Sequence, residues 1–179
     1  IKLLEKYKEP TLVKEKIKFD AKKPTISIQH TGGTISSKVD YRTGAVVSRF
    51  SPEDILEMFP ELKNLANIKS KLVFQMFSED IEPEHWMILA KEIEKEIKRG
   101  VDGIIITHGT DTMSYTSAAL SFMLQNSPIP IILVGSQRSS DRPSSDSFLN
   151  LVCAANFIIN SNFSGIAVCM HANIQDDYC

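Results

Sequence analysis

The chain has no apolar run near the roughly eighteen residues that a membrane span needs, and its opening Ile1-Lys2-Leu3-Leu4-Glu5-Lys6 lacks the apolar core of a secretion signal. These absences give the expectation of a cytoplasmic protein. Cysteine is scarce. Cys153, Cys169 and Cys179 form no Cys-x-x-Cys pair and the first two lie inside apolar segments, so they read as buried free thiols rather than a disulfide or a metal site. The four histidines, His30, His85, His108 and His171, show no ligand spacing, which argues against zinc. No Gly-x-Gly-x-x-Gly or Gly-Lys-Ser/Thr follows an apolar run, which removes a phosphate-binding loop. What is there is ordinary for a globular protein: 179 residues, 42% hydrophobic and 23% charged, enough for one domain with a buried core and unlike disordered or fibrous chains.

The charge is unevenly spread. Residues 1–23 hold eight lysines against Glu5, Glu9, Glu15 and Asp20, so this arm carries +4 and the rest of the chain −6 within a net charge of −2. A solvated linker is one reading of such an arm, and contact with nucleic acid, by lysines neutralising phosphates, is the other.

After Pro24 strand-like and helix-like segments alternate, the pattern of a parallel sheet flanked by helices. Strands are expected at Thr25–His30, Lys71–Phe77, Gly103–Thr107, Ile129–Val134 and Gly165–Met170. The third and fourth are almost wholly apolar and belong at the sheet centre. Tyr41–Phe50, with Thr43-Gly44 inside it, predicts a hairpin or flap, and Ser51-Pro52-Glu53-Asp54 opens a short helix. From Pro83 to Arg99, Trp86, Leu89, Ala90, Ile93 and Ile97 form one helical stripe stopped by Gly100, with the glutamates and lysines, among them Glu94 and Lys98, on a solvated face. Further helices are expected at Met113–Gln125 and Phe148–Ile159. The polar connection Gly135–Ser147 is long enough to invite a functional role.

Two short segments carry the chemistry: Thr31-Gly32-Gly33-Thr34-Ile35 and Thr107-His108-Gly109-Thr110-Asp111-Thr112. Each follows a strand, where open α/β sheets bind ligands, and glycine permits sharp turns and close approach. A threonine hydroxyl becomes a useful nucleophile only with a neighbour that takes its proton. Tyr41, on the flap, could do so for Thr34, and Asp111 beside Thr110 could bind an ammonium or orient a base. Backbone amides around Gly33 and Gly109 could serve an oxyanion.

This pair of segments resembles the two signatures of the bacterial-type asparaginase and glutaminase family, and the resemblance runs from about Pro24 to the chain end. It also takes in Ser78-Glu79-Asp80 and Val134-Gly135-Ser136-Gln137-Arg138 with Ser144, Asp146 and Asn150. The resemblance implies the family's open, mostly parallel Rossmann-like sheet, incomplete at its C-terminal end, over residues 24–179, with residues 1–23 as a linker from an absent upstream small β domain and the smaller C-terminal domain also absent. It implies amide hydrolysis through an acyl-enzyme, with Thr34 as the attacking residue, Tyr41 as its partner and Thr110–Asp111 as the second pair. Ser78 would hold the substrate α-carboxylate, and Glu79 and Asp111 would face its α-ammonium. No metal is implied.

Within the family, the arm leading into Lys22-Lys23-Pro24, Phe77-Ser78-Glu79-Asp80-Ile81 and His171-Ala172-Asn173 resemble the D-subunit branch found in archaeal glutamyl-tRNA(Gln) amidotransferases. That branch implies hydrolysis of glutamine, delivery of ammonia to the amidotransferase E subunit acting on tRNA-bound glutamate, and ATP and magnesium confined to that partner. A homo-oligomer is also implied. A free-standing L-asparaginase and a non-enzymatic amino-acid-binding module are the alternatives. The family's second triad includes a lysine, but residues 100–179 contain none, so the expectation is a piece of a longer chain that alone turns over little substrate.

Overall fold

A computed structural model describes residues 19–39, 46–48, 55–56, 59–140, 142, 144–174 and 177–179. The lysine arm up to residue 18, Tyr41, Thr43-Gly44 and Ser51-Pro52-Glu53-Asp54 lie outside these. The described strands are β1 (Thr25–Gly32), β2 (Ser37–Val39), β3 (Val46–Ser48), β4 (Asn67–Met76), β5 (Gly103–Thr107), β6 (Pro130–Val134) and β7 (Gly165–Cys169). The α-helices with their bounds are α1 (Leu62–Leu65), α2 (Pro83–Lys98), α3 (Met113–Met123) and α4 (Ser147–Asn160).

Five strands form one sheet in the order β4-β1-β5-β6-β7, every described pair parallel. Alternation along the strands makes two cores. Ile26, Ile28, Ile105, Ile132 and Val134 face one side with Leu62 of α1 and Leu151, Ala154, Ala155 and Ile158 of α4. Ile104, Ile106, Ile131 and Leu133 face the other, with Leu89, Ala90 and Ile93 of α2 and Met113 and Leu120 of α3. Burial on both faces explains why β5 and β6 are nearly continuous apolar runs. The β5-to-β6 and β6-to-β7 crossovers step in the same direction but carry α3 and α4 on opposite faces. They therefore have opposite hands, and one departs from the usual right-handed rule.

Several elements differ from the sequence expectation. β4 begins four residues early, at Asn67; it is bonded to β1 alone among the described strands, and with Lys69, Leu72 and Gln75 exposed and Lys71 half-buried it does not read as an apolar run. The α1 helix is too short to show a period. The expected hairpin starts at Ser37, with Ser37–Val39 antiparallel to Val46–Ser48. On α2, Glu94–Lys98 is an exposed i,i+4 pair, but Glu96 is buried and held by Arg99, and Glu92 bridges Lys71 and Lys95, so the glutamates are not uniformly solvated. Trp86 is half-buried, its indole N–H donating to Thr116 Oγ1 at 3.0 Å. The three cysteines are free. Cys153 and Cys169 are half-buried rather than buried, and Cys179 is exposed. Among the described residues no helix is long and apolar enough to cross a membrane.

Candidate active site

The chain leaves β1 through α1 on one face of the sheet towards β4, and leaves neighbouring β5 through α3 on the other face towards β6. Diverging connections open a crevice at the carboxyl ends of the two strands, the topological switch point of an open α/β sheet. Both threonine-glycine turns emerge there, one from β1 and one from β5, and the turn after β4 joins them.

Glycine lets the three turns approach closely. Gly33 has φ +80°, and a Cβ on it would lie 2.6 Å from the Gly109 nitrogen and 2.8 Å from the His108 carbonyl. A Cβ on Gly109 would in turn lie 2.7 Å from both Cβ and Oγ of Ser78. Glycine at each position is thus what lets the three turns pack as one floor. Side chains then tie them: the Thr31 hydroxyl donates to the Thr107 carbonyl at 2.8 Å, and the Thr112 hydroxyl to the Ser78 carbonyl at 2.7 Å. Ser78 Oγ donates to Asp111 Oδ2 at 3.3 Å.

Of the residues singled out in the sequence, Gly33 therefore packs on Gly109, Gly109 on Ser78, and Ser78 bonds Asp111, one after another. Thr34 opens a 3-10 turn, Thr34–Ser36, and is exposed, as are Asp111 and Glu79, while Thr110 is half-buried and Ser78 buried. Hydroxyls and carboxylates thus stand at the open side of a closed floor. Tyr41 lies outside the described residues, so its pairing with Thr34 stays an expectation. Among the described residues no group of three or more His, Cys, Asp and Glu is arranged to hold a metal.

The polar connection after β6 is folded around one carboxylate. Asp146, wholly buried, accepts the backbone N–H groups of Gln137 and Arg138 at 3.0–3.1 Å, Asn150 Nδ2 at 3.1 Å, and stands 2.9 Å from His171 Nδ1. Burial alone raises this carboxyl, but the amide donors and the His171 charge more than offset it and hold it below the ordinary carboxylate range. Asn150 Nδ2 also donates to the Gly135 carbonyl at 3.0 Å, which fixes the end of β6. Asp146 and Asn150 therefore shape the rim beside the crevice.

Sequence reading missed a polar cluster beneath the floor. His30 continues the Ile26–Ile28 face of β1 and is fully buried. Its Nδ1 lies 2.9 Å from Thr107 Oγ1 and 3.2 Å from Ser36 Oγ, and its Nε2 2.9 Å from Ser70 Oγ. Burial pushes the imidazole down to about 4, so it is neutral near pH 7. The available signal is a histidine near the end of a buried strand, with a threonine ending one neighbouring strand and a serine inside the other. His108 is also buried, its Nδ1 2.7 Å from the Gly109 carbonyl. Burial lowers its pKa against the raising effect of that carbonyl, and its Nε2, like both amide atoms of Gln29, has no partner among the described residues.

A parallel sheet with hydroxyls and carboxylates gathered on glycine turns at its switch point defines an open α/β domain with a candidate ligand site. The chain belongs to the asparaginase family: the model for "Asparaginase, N-terminal" matches residues 25–176. It is 52% identical over 172 residues to the D subunit of the glutamyl-tRNA(Gln) amidotransferase of Methanosarcina mazei, covering 96% of this chain and 40% of that one. It is 49% identical over 181 residues to the same subunit of Pyrococcus furiosus, covering 100% and 41%. The chain thus spans about two fifths of the length of these curated relatives. Among solved structures, the thermostable L-asparaginase from Thermococcus kodakarensis superposes with a TM-score of 0.73 at 37% identity, over 82% of this chain and 44% of that chain.

Proposed function

We propose that this chain carries the amide-hydrolysing site of a glutamyl-tRNA(Gln) amidotransferase, releasing ammonia from glutamine for a partner E subunit that acts on tRNA-bound glutamate. The observation that carries the reading is the convergence of Gly33, Gly109, Ser78 and Asp111 at the switch point, with Thr34 exposed above them. The similarity of 49–52% to amidotransferase D subunits supports the choice of branch.

In this reading the Ser78 hydroxyl holds the substrate α-carboxylate, while Asp111 and Glu79 face the α-ammonium. Thr34 Oγ attacks the side-chain amide carbon as its proton passes towards Tyr41. The tetrahedral oxyanion is held by backbone amides around Gly33 and Gly109. Collapse breaks the C–N bond, the nitrogen leaves with a proton as ammonia, and an ester to Thr34 remains. Thr110 and Asp111, with the lysine that the family resemblance implies, activate the water that hydrolyses the ester and returns glutamate. ATP and magnesium serve the partner's chemistry.

A free-standing L-asparaginase is the second reading, favoured by the likeness to the Thermococcus kodakarensis enzyme. Ammonia release by the intact protein from glutamine and from asparagine, with and without its partner subunit and tRNA, separates the two. The first reading expects glutamine preference and stimulation by the complex, and Thr34→Ala lowers kcat at least about 10³-fold. Partner-independent asparagine hydrolysis establishes the second. Release of ammonia from neither substrate overturns both and leaves an amino-acid-binding module.

A further inference from the structure

The cluster beneath the floor touches both halves of the candidate site. Ser36 closes the turn that begins at Thr34, its backbone N–H donating to the Gly33 carbonyl at 3.3 Å. Thr107 is the last residue of β5 and lies three positions before Thr110. Their hydroxyls are 2.8 Å apart, and His30 Nδ1 reaches both. Ser70 fixes the far side of the ring from β4. One imidazole therefore links β1, the turn after it, β4 and β5, while the neighbouring Thr31 hydroxyl bonds the Thr107 carbonyl.

Burial keeps the ring neutral, and its three hydroxyl neighbours match a neutral ring. A neutral imidazole has one donor nitrogen and one acceptor nitrogen, and hydroxyls can serve either. Both nitrogens can be satisfied at once, and the Ser36 and Thr107 hydroxyls are held against each other and against the ring. A hydrophobic residue here would fill the space, but it would leave the buried Ser36 and Thr107 hydroxyls without the ring as a partner.

We infer that His30 is a positioning residue that sets the distance between the Thr34 turn and the Thr110 turn through Ser36 and Thr107. The inference rests on the proposed amidohydrolase reading. The imidazole does not touch substrate. It holds the hydroxyl of the residue two beyond the nucleophile, so loosening it lets the Thr34 turn drift against the Thr110–Asp111 turn. Misplacing reacting groups by about 1 Å costs on the order of 10²-fold in rate.

The test is a kinetic series in the intact protein with its partner subunit: Thr34→Ala, His30→Asn, Ser36→Ala, Ser36→Thr and the double variant His30→Asn/Ser36→Ala. Each is assayed for ammonia release under conditions where circular dichroism shows it folded. His30→Asn and Ser36→Ala are expected each to lower kcat about 10- to 100-fold with KM for glutamine changed less than about threefold, because substrate contacts are untouched. Ser36→Thr, which keeps the hydroxyl, restores most of the rate. The double variant loses little more than His30→Asn alone, since both act through one network. Should His30→Asn fail to fold, the kcat loss of Ser36→Ala and its rescue by Ser36→Thr decide. The inference is overturned if the folded variants keep kcat within about twofold, if KM alone rises, or if the losses multiply. A purely structural role would lower the melting temperature and leave kcat per folded molecule unchanged. If Thr34→Ala also keeps full activity, the amidohydrolase reading itself falls and this inference with it.

Discussion

Gly109→Ala isolates the contact on which the candidate site is built. Gly109 is not among the glycines with positive φ, so its backbone accepts alanine, and the entire penalty must come from what the new methyl meets. It meets Ser78, with Cβ and Oγ both 2.7 Å away, where carbon atoms at rest lie about 3.5–4.0 Å apart. Overpacking of this kind costs about 1–3 kcal/mol. Ser78 cannot yield freely, because its carbonyl accepts the Thr112 hydroxyl and its own hydroxyl donates to Asp111. Losing one of these bonds adds about 1 kcal/mol, so Gly109→Ala should destabilise the protein by about 2–4 kcal/mol. Ser78→Gly removes both offending atoms and by itself costs about 1 kcal/mol through its lost bond and added backbone freedom. The double variant Gly109→Ala/Ser78→Gly should then be more stable than Gly109→Ala alone. A coupling energy of about 2 kcal/mol is expected in urea unfolding of the intact protein monitored by circular dichroism. Strict additivity, with coupling below about 0.5 kcal/mol, would refute the direct packing of the second glycine turn on the serine turn.

Gly33→Ala should cost more than Gly109→Ala, since its Cβ meets backbone only 2.6–2.8 Å away and its φ of +80° disfavours any side chain; equal melting temperatures for the two would count against this. His30 ordinarily titrates at 6.5 but at about 4 when folded, so the unfolded chain takes up its proton first. That contribution to stability is complete above pH 6.5 and declines as pH falls, the loss reaching about 3 kcal/mol at pH 4 and below. His30→Gln should flatten the pH dependence of the urea midpoint across this window, and an unaltered profile would assign the dependence to other groups. Asp146 is held below the ordinary carboxylate range, so its contribution is present above that range and is lost on acidification through its lowered value. Asp146→Asn should cost about 3 kcal/mol at pH 7, because one acceptor oxygen facing N–H groups becomes a donor, and hydrogen exchange should rise first in residues 135–140. Gln29→Met should be neutral or stabilising by about 1–2 kcal/mol, since both buried amide atoms lack a partner among the described residues; a loss above about 1 kcal/mol would reveal a bound water there.

What could be read from the sequence follows from where each physical constraint is written. The bounds of β5, Gly103–Thr107, are legible because burial on both faces leaves an unbroken apolar run, whereas Lys69 and Lys71 hide the start of β4, a strand with one described neighbour. The glycine turns were legible for the same reason: a backbone that must turn or approach another chain closely excludes side chains, and that exclusion is visible one residue at a time. Their contact was not, since the packing of Gly33 on Gly109 depends on the register Ile26↔Gly103 between strands some seventy-five residues apart. The polar cluster was harder still. His30, Ser36, Ser70 and Thr107 are unremarkable singly, and a serine in a turn or a threonine at a strand end is satisfied by water as readily as by a histidine. Only burial removes the water from His30, Ser36 and Thr107 and obliges them to choose one another, with the half-buried Ser70 on the far side of the ring. The outer residues of the candidate site are thus written in residue types, while the geometry that would make them act together is written in strand register and desolvation. A variant series confined to Thr34, Ser78, Thr110 and Asp111 would therefore test the chemistry and leave its support untested, which is why His30 and Gly109 are the more informative substitutions.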